Sequence, residues 1–304
     1  GHYSGVFQSC RCATTSREGE LMRYRVRHRN RYQYVHPVSL SHSHATLLPR
    51  DTLNQQVLSA HLTILPGTDD VHERQDLFGN RVSRFSIEEV HTELNVLAET
   101  EVEVRSNRVD LSRDPDITDQ SGIPAKTRLY CRPSLYVPIG IPEIQQFADQ
   151  CFTDGCGLIE GTRALNERIF HEFVYDQHFS DVETPVGLVL SERRGVCQDF
   201  AHLMLACLRS KGIASRYVSG YLETDPPAGQ PKLMGADASH AWVSVFVPGT
   251  GWIDFDPTNG LLPSDRHVTL AWGRDYADVV PLKGLMTGGG QHALEVSVDV
   301  TPLE

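Results

Sequence analysis

SERRGVCQDFAHLMLACLRSKG, residues 191–212, is the stretch from which the rest of the chain is read. After Cys197, the apolar residues Phe200, Leu203, Met204, Cys207 and Leu208 recur at spacings of three and four, the period of an α-helix with one buried face. Gly212 fits the position just past the last turn, where glycine commonly closes a helix. Gly195 and Val196 lead into Cys197, so the thiol stands at the helix N-terminus. There the unpaired amides and the positive end of the helix dipole favour thiolate over thiol, the form that attacks a carbonyl carbon. A free cysteine can equally be a small packed residue, and Cys207, mid-helix on the apolar face, is well described that way. For Cys197 the decision rests on partners further along the chain.

DASHAWVSVFVPGTGWIDFDPTNG, residues 237–260, supplies them. It reads as two strands joined by PGTG, with His240 at the start of the first and Asp254 and Asp256 on the second. A three-residue loop centred on Gly249 sets Asp256 opposite Trp242, diagonal to His240 and on the same face, within side-chain reach. A two- or four-residue loop sends the two to opposite faces. Alternate residues share a face, so spacing leaves Asp254 and Asp256 both open as the acid.

Outward from these blocks the chain divides. In RYRVRHRNRYQY, Arg23, Arg25, Arg27, Arg29 and Arg31 fall on one side of a period-two pattern, with Tyr24, Val26, His28 and Tyr32 among the other residues. The stripe is read as a solvated sheet face in preference to an RNA-binding surface, because the chain as a whole is acidic, with a net charge of −11. QVLSAHLTILP alternates with Leu58, Ala60, Leu62 and Ile64 on one side, and Gly79-Asn80 marks a hairpin between two strand-like runs. Residues 22–140 are expected to form an antiparallel β-sandwich domain ending in an Asp-, Pro- and Gly-rich linker. A helix is expected over about 160–178 from Leu165, Ile169 and Phe173, and strands from IASRYVSGYLE and the two blocks above. Residues 141–265 thus read as an α+β core, and residues 266–304 as an extension whose alternating tail, HALEVSVDVTPL, returns to one of the sheets. Residues 1–21 are polar and non-periodic and read as a leader outside the fold, with Gly1-His2 an added scar and Met22 a candidate natural start.

Taken in order, GVCQDFAHLMLACLRSKGIASRYVSGYL, SHAWVSVF and GWIDFDPTNG resemble the transglutaminase-like superfamily, and most closely its bacterial branch, often described as candidate cysteine proteases. The β-rich first half resembles the N-terminal region of the same proteins, so the likeness runs over about residues 22–300. It implies a papain-like α+β core in which the helix carrying the cysteine packs on an antiparallel sheet. It implies Cys197 as nucleophile, His240 as base and Asp256 as orienting acid, acting on a peptide, protein or other amide through a thioester, with no cofactor. Hydrolysis is the preferred outcome; transfer to an amine, or peptide binding without catalysis, are the alternatives.

Around this triad, Asp199 is either a substrate contact or the cap of the first helical turn, and His202 a second base or a satisfied helix residue. Trp242 walls the cleft or fills the core, and Tyr221 lines the substrate site. No metal is expected: neither His42 and His44 in SHSH nor Cys151 and Cys156 has a second pair at zinc spacing. With 40% hydrophobic and 22% charged residues, and no apolar run near the roughly 18 needed to span a bilayer, neither nucleic acid nor membrane is expected as a partner. Seven scattered cysteines read as reduced thiols, hence a cytoplasmic location. Oligomeric state is open.

Overall fold

The computed structural model describes residues 21–106, 111, 113–118, 123–224 and 239–303. All but the last residue of the leader 1–21, and part of the linker, lie outside the described residues. Five strands come first: β1 (Leu21–Ala45), β2 (Gln55–Leu65), β3 (Val71–Gln75), β4 (Arg81–Ile87) and β5 (His91–Arg105). Then follow α1 (Pro142–Asp149), α2 (Leu158–Glu172), β6 (Val174–Tyr175), α3 (Val186–Glu192), β7 (Arg194–Gly195) and α4 (Cys197–Ser210). The chain ends in β8 (Ser215–Leu222), β9 (Ser239–Val247), β10 (Gly251–Phe255), β11 (His267–Gly273), β12 (Leu282–Gly288) and β13 (His292–Leu303). The α+β class stands.

The five N-terminal strands join β12 and β13 in one continuous, curled antiparallel sheet of seven strands. The reason is the length of β1, 25 residues, enough to take two partners along each edge. Its first part pairs with β5 and β13, its second with β4 and β12. Along β1, Tyr24, Val26, His28 and Asn30 are buried while the intervening arginines face out. Those arginines meet the glutamates of β5: Arg25 to Glu101 at 2.8 Å, Arg27 to Glu99 at 2.9 Å and Arg31 to Glu93 at 2.8 Å. The stripe is therefore a cross-strand ion-pair ladder on a wet face, where solvent screening keeps the contribution of each pair small. In β2 the register slips between Val57 and Ser59, so Leu58 faces solvent although alternation placed it inside.

The second half wraps α1, α2 and α3 around α4 and sets α4 on a four-stranded antiparallel sheet of order β10-β9-β8-β11. From Asp199 to Arg209 every residue of α4 is buried. Gly212 closes the helix at φ 74°, its N–H bonding Arg209 O while Ile213 N–H bonds Leu208 O. α2 stops at Glu172, short of the expected 178, because Val174 and Tyr175 leave the helix to pair in parallel with Arg194 and Gly195. The core sheet also runs past residue 265: β11 is its fourth strand, and only β12 and β13 return to β1.

Three contacts lock the halves together. Gln55 uses its amide like a strand residue, Nε2–H to Thr269 O at 2.7 Å and Oε1 from Thr269 N–H at 2.8 Å. Asn80, at the β3–β4 hairpin tip, does the same with Trp272 O and N–H. His28 Nδ1 meets Tyr221 Oη at 2.9 Å in the buried seam. One apolar cluster runs through that seam, from Val26 and Val300 to Leu203 and Val243.

Burial holds His28 and His202 neutral, their pKa values lowered to about 4 and about 3. Their stabilisation is complete above the ordinary value of 6.5 and declines as pH falls from there toward 4, because the unfolded chain then binds protons that the folded one refuses. Between neutral pH and about pH 5 His28 alone is expected to cost about 2 kcal/mol. Thermal melts across this range should show the loss, and His28→Phe should lessen it by the His28 share while that of His202 remains; an unchanged slope in that variant would remove His28 from the account.

Candidate active site

Cys197 is the first residue of α4, half-buried, with Val196 extended before it. Its N–H belongs to the first helical turn and has no helical acceptor, which makes it a ready oxyanion donor. The turn is shaped by Asp199, whose Oδ2 accepts Val196 N–H at 2.8 Å and Ser180 Oγ–H at 2.5 Å. Gly195 is required by this arrangement, since a Cβ there would lie 2.8 Å from Asp199 Cβ and Oδ2. Asp199 is thus a buried cap and is not presented to a substrate, and burial raises its pKa in spite of the two hydrogen bonds. His202 is likewise spoken for: Nε2 accepts Tyr276 N–H at 3.2 Å inside the core.

β9 and β10 form the hairpin centred on Gly249, which takes φ 81°. Gly251 pairs with Val247 and Phe255 with Val243, and the same register carried one step further sets Asp256 against Trp242. Asp256 then reaches the diagonal neighbour: His240 Nε2–H donates to Asp256 Oδ2 at 2.7 Å. Asp254 instead accepts Trp242 Nε1–H at 3.1 Å, which settles the choice that spacing left open. Nδ1 is the ring nitrogen that Asp256 does not engage, and the Cys197 side chain is near enough to help raise the His240 pKa.

Asp256 has no solvent exposure and five donors. Thr258 and Asn259 N–H bond Oδ1 at 3.0 and 3.2 Å, while Asn259 Nδ2 and His267 Nε2 bond Oδ2 at 2.8 and 3.2 Å. His267 Nδ1 accepts Ser264 N–H at 3.4 Å, which leaves its proton on Nε2, facing the carboxylate. Burial alone would raise the Asp256 pKa, but His240 and His267 outweigh it and the net shift is downward. The reverse holds at His240: burial disfavours the imidazolium, yet Asp256 and Cys197 carry its pKa well above 6.5. The three ligand-type atoms of His240, Asp256 and His267 lie within 4.8 Å of one another, a grouping that no sequence spacing announced. Their donors and acceptors match as a hydrogen-bond network, and a cation there would have to displace both Nε2 protons.

Asn259 and His267 were not singled out from sequence. Asn259 had a signal, the DPTNG turn in which an aspartate accepts from backbone two and three residues on; His267 had none. Trp242 is 1% exposed, its ring 6.1 Å from that of His240 and 5.3 Å from that of His267, so it backs the pair while its edge walls a cleft. Tyr221 does not line the site: it is buried in the seam against His28, because its strand position faces the core and not the cleft. Tyr175, unread in the sequence, keeps 47% of its surface exposed; the partial burial of its ring and the nearby Cys197 raise its pKa.

A family model described as the transglutaminase-like superfamily matches residues 145–257, and one described as the bacterial transglutaminase-like N-terminal region matches residues 24–103. An uncharacterized protein of Mycobacterium tuberculosis is 38% identical over 293 residues, 93% of each chain. The protein-glutamine gamma-glutamyltransferase of Pseudomonas aeruginosa is 29% identical over 184 residues, 58% of this chain and 27% of that one. Among solved structures, a candidate cysteine protease from Cytophaga hutchinsonii superposes with a TM-score of 0.78 at 22% identity, covering 94% of this chain and 92% of its own. At that identity the likeness speaks for the fold.

Removing the Asp256 carboxylate strands several buried donors at once. Asp256→Ala is expected to lose about 3–5 kcal/mol of stability in urea denaturation, against less than half of that for Asp254→Ala. Equal losses would show that the network is not what holds the hairpin end.

Proposed function

The chain belongs to the transglutaminase-like superfamily, and from that premise we propose that it is a thiol-dependent acyl-transfer enzyme that cleaves a peptide or other amide. The observation that supports this reading is the His240–Asp256 hydrogen bond, with Cys197 at the start of α4 near enough to raise the His240 pKa.

In the proposed cycle the Cys197 thiolate attacks the amide carbonyl carbon, and the developing oxyanion is met by the Cys197 N–H at the helix start. His240, protonated, gives its proton to the leaving nitrogen as the C–N bond breaks, and a thioester remains on Cys197. Water, deprotonated by His240, then releases the carboxylate and restores the pair. Asp256 keeps the imidazole in the orientation with Nδ1 toward sulfur and stabilises the imidazolium; Asn259 and His267 hold Asp256 in place as positioning residues.

A second reading has its own support. The Pseudomonas relative named for glutamyl transfer favours an amine, in place of water, as the acceptor of the acyl group. The two outcomes separate by product: model peptides incubated with a primary amine and analysed by mass spectrometry yield free carboxylate under hydrolysis and an amine adduct under transfer.

Cys197→Ala is expected to abolish turnover with the fold intact by circular dichroism, and retained turnover would sink the assignment. Iodoacetamide at neutral pH should label Cys197 well before Cys207, which is fully buried and whose pKa burial pushes up. Equal labelling rates in the folded protein would count against an activated thiolate.

A further inference from the structure

On the face of the core sheet away from α4 lies a cleft of about 1350 Å³, walled by both halves of the chain. Arg216 and Val218 of β8 and Trp242 of β9 present to it, while Tyr217 and Val243, the alternate positions, pack into the apolar core with α4. All three tryptophans of the chain, Trp242, Trp252 and Trp272, line it. Cys197 does not.

The cleft is built around cations. The Arg216 guanidinium carbon sits 3.6 Å from the Trp272 ring centre and 4.2 Å from that of Trp252. Arg50, brought from the loop between β1 and β2, sits 3.4 Å from Trp272. Two guanidinium groups cannot share one ring face at such distances, so Arg50, Trp272, Arg216 and Trp252 stack in that order. Arg50 spends Nη1 on Phe78 O and Asn80 Oδ1. Arg216 is 9% exposed, and beyond a charge interaction with Asp254 its guanidinium has neither hydrogen bond nor close ion pair among the described residues; its buried Nε is without a partner. Asp254, the carboxylate in the cleft wall, is engaged by Trp242. With Lys126 at the rim, three cations and one carboxylate face this space in a chain of net charge −11.

A buried, unpaired guanidinium is costly, and burial lowers the pKa of both Arg216 and Arg50 to about 10. Stacking on tryptophan restrains the guanidinium plane but satisfies none of its N–H donors, which lie in that plane. An oxyanion would supply the missing acceptors with bidentate geometry. We propose that the cleft is a binding site for a small organic oxyanion, a carboxylate or phosphate ester carried on a planar apolar body that packs among the tryptophans. The volume exceeds what a bare inorganic anion fills, and the aromatic walls suit a ring. The site shares Trp242 and His267 with the surroundings of the triad but does not include the thiol.

Since every tryptophan lines the cleft, intrinsic fluorescence reports on it directly. Titration with benzoate and with phenyl phosphate should give a saturable change, and the tighter of the two assigns the acid class. Benzamide, the neutral isostere of benzoate, should bind at least about tenfold more weakly. Arg216→Met should lose at least about tenfold in affinity for the oxyanions. It should also melt at or above the wild-type temperature, since it removes an unpaired buried charge, whereas an arginine retained only for packing would leave the variant less stable. Cys197→Ala should bind like wild type, which separates this result from the fate of the catalytic reading. Raising ionic strength on the unmodified protein should weaken benzoate but not benzamide, a test that stands even where a variant fails to fold. Equal binding of benzoate and benzamide, undiminished affinity in Arg216→Met, or no saturable change with either oxyanion overturns the proposal.

Discussion

A carboxylate with no exposure to water and five donors around it organises the second half of this protein. Asp256 is held from three directions: by the turn that follows it, by His240 across the hairpin, and by His267 at the start of the next strand. An ionised acid in such a place is tolerable only when its lone pairs are filled. The network therefore ties the geometry of the hairpin, the turn and β11 to one another. His240 cannot move away from Cys197 without stranding the charge, and this is how a side chain at a strand end is kept in line with a helix start.

The two halves of the chain are joined by backbone mimicry. Gln55 and Asn80 each use a side-chain amide to complete hydrogen bonds that β11 would otherwise leave open at its edge. The return of β12 and β13 to β1 closes the chain on itself, so the N-terminal sheet does not behave as an appended module. It contributes Arg50 and the β3–β4 hairpin to the wall of the cleft behind the triad. His240, Trp242, Asp254 and Asp256 share one face of the core sheet with Arg216, so the triad and the cationic cleft adjoin there with Trp242 and His267 between them, while the opposite face packs on α4.

What local pattern could announce, it announced. The three- and four-residue spacing after Cys197 needs nothing but helical period and was legible in the linear chain, while the register about Gly249 was one of several that the spacing allowed until the structure fixed a three-residue loop. The bulge at Leu58 was not, because a register slip costs no residue type and leaves no composition signal. Tyr221 misled for a related reason: a tyrosine beside a candidate site looks available until its face of the strand is known, and that face is turned to the core.

Sequence by itself determined the α+β class, the helix that begins at Cys197, the hairpin that carries His240 and the two aspartates, and the family likeness. Each of these rests on neighbours in the chain or on motifs in a set order. Only the tertiary structure decided that His240 and Asp256 share a face, that Asp256 and not Asp254 holds His240, that His267 and Asn259 complete the network, and that Arg50 of a loop and Arg216 of a distant strand share a tryptophan. These are contacts between residues whose separation along the chain carries no periodic signature. Their existence depends on where packing sets whole elements, a quantity that no local spacing encodes.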